Sequence, residues 1–329
     1  MTPRRYFIPI LATVSVVCIS ASVLIGPAGI PPDQAIAALF VGDSSVSVIV
    51  REIRLPRAIA AWLAGAALGA SGAALQGILR NPLADPGVLG VSAMAALGAV
   101  FAIYFNFAAI AFWVTPAAAV TFALVATLIL YGLGARRLST ARLILVGVGL
   151  SSFGGAMIAL VMNMAPNPFI LSDLVNWLFG SVANRSFDDL ALTAPAMFAG
   201  MVLCLAAAPG LTALTLGEET ASTLGANIAR IRAFAICGAA LMTGASVALA
   251  GAIGFVGVVA PHVARPFSGN DPGRTILPAM FVGGAMLVIA DLMIRLLPFD
   301  QELKLGVAAA LIGAPGFVWI AAQTQRIAR

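Results

Sequence analysis

Ala58-Ile-Ala-Ala-Trp-Leu-Ala-Gly-Ala-Ala-Leu-Gly-Ala-Ser-Gly-Ala-Ala-Leu-Gln-Gly-Ile-Leu79 contains no charged side chain; Arg57 precedes it and Arg80-Asn-Pro82 follows it. A helix of about 20 apolar residues crosses the hydrocarbon core of a bilayer. Working outward, comparable runs recur at 7–27, 88–108, 112–133, 141–163, 190–209, 230–250, 254–268, 276–297 and 304–324. The run at 254–268 is short and contains Pro261, which reads as a broken helix supported by its neighbours. The whole chain is 61% hydrophobic and 9% charged, with a mean hydropathy of +1.04. Soluble domains hold about 45–50% apolar and 25% charged residues. The sequence therefore predicts an all-α, polytopic membrane protein of about ten transmembrane helices, with residues 1–329 forming a single transmembrane domain.

Arg4-Arg5 followed by the apolar run from Phe7 to Ile25 imitates a signal peptide, but the run is long enough to span and no small-x-small cleavage site closes it, so a retained first helix is expected. Lys and Arg are retained on the cytoplasmic side of a membrane. With the N-terminus inside, twelve of the eighteen basic residues fall on that side, and nine of the thirteen acids fall opposite. Both termini are thus expected in the cytoplasm. The basic residues are scattered between apolar runs rather than gathered on one face, which excludes a nucleic-acid partner. The exceptions are Arg54 and Arg57 before the second run and Arg295 at the end of the ninth, all on the outer side. Anchoring in lipid headgroups by snorkelling is one explanation.

Two connections are too long to be turns: residues 28–57 outside and 210–229 inside. The inner one reads as a short amphipathic surface helix, with Glu218 and Glu219 near its start and Gly225 as its stop. The outer stretch 171–189 is expected to hold a short helix around Leu174–Leu178, with Trp177 at the interface. Small residues recur at helical spacing, as in Gly65-x3-Gly69, and permit close backbone approach in lipid.

Catalytic and metal chemistry find little support. Cys18, Cys204 and Cys237 lie inside apolar runs without metal-ligand spacing and read as small core residues. The single histidine, His262, has no cysteine or carboxylate cluster around it and suits a structural role. No metal site or cofactor is expected. A phosphate-binding loop needs G-x-x-x-x-G-K-[ST], and the only lysine is Lys304 in Glu-Leu-Lys-Leu-Gly. If transport is ATP-driven, the motor is another polypeptide.

Arg54-Leu-Pro-Arg57, Gly65-Ala-Ala-Leu-Gly-Ala-Ser-Gly72, Gln76 and Asn81-Pro-Leu-Ala-Asp-Pro-Gly87 resemble the permease family of type II ABC importers for iron chelates, haem and cobalamin, the FecCD-type family. The similarity continues through Gly217-Glu-Glu-Thr-Ala-Ser-Thr-Leu-Gly225, Gly254-Phe-Val-Gly-Val-Val-Ala-Pro-His-Val-Ala-Arg265, Ala290-Asp-Leu-Met-Ile-Arg295 and Gly313-Ala-Pro-Gly-Phe317. The resemblance implies ten helices per subunit, a homodimer, two cytoplasmic ATP-binding subunits, and a periplasmic substrate-binding protein on the outer side of an inner membrane. It also implies that Glu218, Glu219, Leu224 and Gly225 form the coupling helix seated on the ATPase. Arg54, Arg57 and Arg295 would receive acidic residues of the binding protein. Inner translocation gates would fall at Asn81 and Leu83 and at Ser139 and Thr140, where helix capping and turn formation also suit Asn81 and Ser139. The cargo expected is an iron chelate, siderophore or haem, with cobalamin as the alternative.

Two other classes compete. A secondary transporter driven by an ion gradient needs intramembrane acids, for which Asp291, near the outer end of its span, is the best candidate. An intramembrane enzyme would need a nucleophile–base pair or a metal set, and the sequence supplies neither.

Overall fold

The computed structural model describes residues 7–40, 42, 44–132, 140–298 and 302–327. Among them the chain is all-helical, without a strand. It opens with α1 (Phe7–Leu24), α2 (Pro32–Phe40), α3 (Ser45–Val48) and α4 (Leu55–Leu79), the last two fused by a π-helical turn, Ile49–Arg54. Next come α5 (Val91–Tyr104), α6 (Val114–Leu130), α7 (Thr140–Asn163), α8 (Pro168–Leu178) and α9 (Phe187–Leu214). The chain continues with α10 (Glu218–Thr223), α11 (Ile228–Ala250), α12 (Val256–Ser268), α13 (Pro272–Leu296) and α14 (Leu305–Ile327). Every apolar run of the sequence contains a helix, and among the described residues six helices are long and apolar enough to cross a membrane.

The centre of the bundle is α4, packed against α13, α11, α12 and α9. Its side chains are mostly Ala and Gly, so neighbouring backbones come close. A Cβ placed on Gly65 would lie 2.2 Å from the Gly283 carbonyl oxygen, and one on Gly72 would lie 1.9 Å from that of Gly257. Without a hydrophobic drive between helices in lipid, such contact is what binds them. The outer helices show the opposite pattern: Val16 and Val17 on α1, Leu145 and Phe153 on α7, and Phe198 on α9 are exposed. These faces suit hydrocarbon, as α4 suits protein.

Before α12 the chain is non-helical from Gly251 to Gly254, and Phe255 caps the helix with φ +67°. Irregular backbone at membrane depth requires protein partners; Gly251 N–H donates to Val247 O at 2.8 Å, and Gly254 O accepts from Val256 N–H at 2.9 Å. Ser181 N–H donates to Ala250 O at 2.8 Å, and Gly306 N–H to Phe179 O at 3.1 Å. The expected broken helix is therefore a short helix with a non-helical lead-in, beside which the segment after α8 bonds the last carbonyl of α11 and the first turn of α14.

Several boundaries differ from the sequence reading. The long 28–57 connection holds α2, α3 and the π-helical turn. The helix expected around Leu174–Leu178 starts earlier, at Pro168, because the Asn167 side chain caps it by accepting from Ile170 N–H at 2.9 Å.

Candidate functional sites at the two ends of the central helix

Arg54 closes the π-helical turn and Arg57 follows three residues later, so both face the same side of the α4 start. In the last turn of α13, Asp291 and Arg295 are an i,i+4 pair. Antiparallel packing of α4 and α13 brings the four together. Asp291 is 1% exposed. It accepts from Arg57 Nη2 at 2.8 Å and Nε at 3.1 Å, and Arg295 Nε makes an ion-pair contact at 3.1 Å. Both carboxylate oxygens are thereby engaged, so Asp291 is the counter-ion of two arginines rather than an open proton or sodium site.

The other contacts tie this cluster to α1. Arg54 Nη1 donates to Val23 O at 3.1 Å and Leu24 O at 3.0 Å, the terminal carbonyls of α1, where a cation suits the helix dipole. Arg295 Nη2 donates to Ser22 O at 3.1 Å and to the Ser22 hydroxyl. Arg57 also meets Glu302, with Nη1 donating to Oε2 at 3.3 Å and Nη2 to Oε1. All three arginines are buried in protein. This is not the geometry of snorkelling anchors, whose charged heads reach lipid headgroups. Above them opens a cavity of about 420 Å³, lined by Arg54, Arg57, Arg295 and Glu302 among apolar neighbours. Arg54 Nη2 is buried without a hydrogen-bond partner among the described residues.

At the other end of α4 the chain leaves α9, turns at Gly217 (φ +105°) and forms α10. Glu218 pairs with Arg232 of α11 at 2.7 Å. Gly225 stops the helix as its sequence predicts: at φ +86° its N–H donates to Ser222 O, and Ala226 N–H reaches back to Ala221 O. Ala221 is buried against the bundle, while Glu219 and Leu224, the latter 68% exposed, face away. A fixed helix thus presents an apolar side chain and a carboxylate outward.

The same end carries the turn 80–90. Asn81 accepts from Leu83 N–H at 2.9 Å, forming the turn its residue type favours. Asp85 accepts from Gly87 N–H at 2.7 Å and caps Pro86–Leu89. Burial pushes the Asp85 carboxyl above its usual range, and the Gly87 hydrogen bond opposes that rise. Gln76 donates to Ala84 O at 3.2 Å and accepts from Arg265 at 2.5 Å, joining α4, this turn and α12. A second cavity of about 420 Å³ opens beside Gln76, Arg80, Thr215 and Arg265. Thr140 begins α7; Ser139 lies outside the described residues.

Sequence reasoning found the arginines, α10 and the 81–87 turn. It missed the Arg57–Asp291 pair, the role of Glu302 and the Gln76–Arg265 link, whose partners lie far apart in the chain. The i,i+4 spacing of Asp291 and Arg295 was the available signal. No cluster of three or more potential metal ligands occurs among the described residues.

The FecCD transport family model matches residues 13–323. An uncharacterised ABC transporter permease of Bacillus subtilis, YvrB, is 36% identical over 86% of this chain and 81% of its own length. The vitamin B12 import permease BtuC of Citrobacter koseri is 36% identical over 96% of this chain and 94% of its own. A solved ABC transporter of the metal-chelate type, in an inward-facing conformation, superposes with a TM-score of 0.83 at 28% identity, over 97% of this chain and 99% of that one. With its apolar helices, buried small-residue core and lack of a phosphate-binding loop, the chain belongs to the FecCD transport family, as a multi-pass ABC-type permease without an ATPase site of its own.

Proposed function

We propose that the chain is the membrane half of an ATP-driven importer carrying a bulky metal chelate from the outer side of a cell inner membrane to the cytoplasm. In this reading residues 1–329 form one domain of ten spans with both ends cytoplasmic. Two copies frame the path, two ATP-binding subunits sit beneath, and a substrate-binding protein docks above. The observation that carries it is α10, a short helix stopped at Gly225 and tied to α11 by the Glu218–Arg232 pair, which projects Leu224 and Glu219 away from the bundle. A chain without an ATPase site needs such a contact to receive mechanical work. Glu218, Glu219, Leu224 and Gly225 act as the coupling helix. Asn81 and Leu83, with Ser139 and Thr140, act as inner gates, whose neutral groups close on cargo without gripping it. Arg54, Arg57 and Arg295 attract acidic residues of the binding protein through the positive cavity around them.

An iron chelate, siderophore or haem, is the cargo favoured by likeness to the metal-chelate transporter. Cobalamin is favoured by the BtuC relatives. Proteoliposomes holding the permease, its ATP-binding subunits and its binding protein test both readings: ATP-dependent uptake is expected, and labelled haem, ferric siderophore and cyanocobalamin supplied in turn identify the cargo. Accumulation driven by a proton or sodium gradient without ATP would overturn the importer reading.

A further inference from the structure

The outer-end cavity sets three guanidinium groups against two carboxylates, and the two carboxylates differ in kind. Asp291 is 1% exposed, with both oxygens engaged by Arg57 and Arg295. Removing it would strand buried positive charge, which makes it a permanent partner. Glu302 lies outside any helix with its side chain 40% exposed, and its hydrogen bonds run to Arg57.

The two acids also hold different edges of one guanidinium. Asp291 takes the Nε and Nη2 edge, facing the protein. Glu302 takes the Nη1 and Nη2 edge, which borders the cavity. Either edge of an arginine fork can hold a carboxylate bidentately. Glu302 is exposed while Arg57 is buried, and Asp291 keeps Arg57 paired when Glu302 leaves, so the outer edge can exchange without stranding the guanidinium. Any other carboxylate entering the cavity would bind that edge in place of Glu302, since two acids cannot share it without repulsion.

We propose that Glu302 is an internal stand-in for a carboxylate of the substrate-binding protein. It occupies the cavity edge of Arg57 in the free permease and is displaced on docking, while Asp291 stays in place and aims Arg57 and Arg295. This rests on the docking reading given above. Among the described residues Arg54, another residue of the cavity lining, is bound only to the carbonyls of Val23 and Leu24, and Glu302 makes no bond to it. The incoming acid thus finds positive charge in excess of what the chain neutralises.

The test uses the permease with its ATP-binding subunits in lipid nanodiscs, with the dissociation constant of its labelled binding protein measured at low and high salt. Glu302→Gln, an exposed change, is expected to tighten docking about two- to five-fold by removing the competitor. Arg57→Lys keeps a cation for Asp291 but loses the fork; it is expected to weaken docking and, in the double variant, to abolish the gain from Glu302→Gln. If Arg57→Lys leaves affinity unchanged, the docking reading falls and this proposal with it. If Arg57→Lys weakens docking while Glu302→Gln leaves it unchanged or weaker, docking stands and displacement is overturned. A gain from Glu302→Gln that persists beside Arg57→Lys marks general charge repulsion and overturns displacement too.

Discussion

Asp291 shows how the energetics of a buried charge turn on its partners. Two guanidinium groups converge on it in a site with almost no access to solvent. Removing one member of such a set costs about 3–5 kcal/mol, because the remaining charge stays buried without compensation. Asp291→Ala is accordingly expected to lower the thermal unfolding midpoint of the detergent-purified permease clearly, and Asp291→Asn by less, since the amide oxygen still accepts. An unchanged midpoint in Asp291→Ala would mean that the arginines find other partners. In the sequence Arg54, Arg57 and Arg295 stand out as basic residues on the disfavoured side. Their pairing was not legible, since Arg57 and Asp291 are 234 residues apart and only the α4–α13 packing joins them. Lipid anchoring was reasonable for arginines at span ends; burial beneath α1 replaces it.

Helices assemble here through missing side chains as much as through present ones. The methyl group of Gly65→Ala would fall 2.2 Å from the Gly283 carbonyl oxygen, so α4 and α13 must separate, at a cost of about 1–3 kcal/mol. Gly155→Ala meets nothing within 4 Å and is the control, expected to leave the thermal midpoint unchanged or raise it slightly, since alanine suits a helix interior better than glycine. Equal effects from both would disprove the close-approach argument. For α10, Leu224→Glu is expected to leave folding intact, because the side chain is exposed, and to abolish substrate-stimulated ATP hydrolysis in the assembled transporter. Loss of folding instead would make the helix structural rather than coupling. This element was legible because acids, an amphipathic run and Gly225 mark its start, face and end. By contrast, α2 was not, although Pro32 at its first position and Asp33 beside it are sound helix-start signals. It is nine residues long in a stretch opened by two prolines, and packing of Ala35 and Ala38 holds it more than propensity does.

Both candidate sites hang on the length of one helix. With 25 residues, α4 is about 37 Å long, more than the roughly 30 Å of a bilayer core. Arg57 at its start and the α10 end beside Gln76 therefore sit on opposite membrane faces if α4 crosses the bilayer. Apolar periodicity in the sequence locates such a crossing but not which segments gather at each end; that follows from the packing of α4 antiparallel to α13 and parallel to α9, whose Leu211 lies against Gly77. The charge bias predicts the α10 end inside. In a background where Cys18, Cys204 and Cys237 are replaced, a cysteine at Leu224 is expected to react with a membrane-impermeant maleimide only in inverted vesicles. One at Asn184, exposed between α8 and α9, is expected to react in right-side-out spheroplasts. Labelling of both positions from the same side would break the argument at its root. It would require α9, which joins the two positions, not to span, nor α4 packed parallel beside it, and the arginine cavity and α10 could then not serve partners across a membrane. Labelling of each from the reversed side would keep the span but invert the direction of transport.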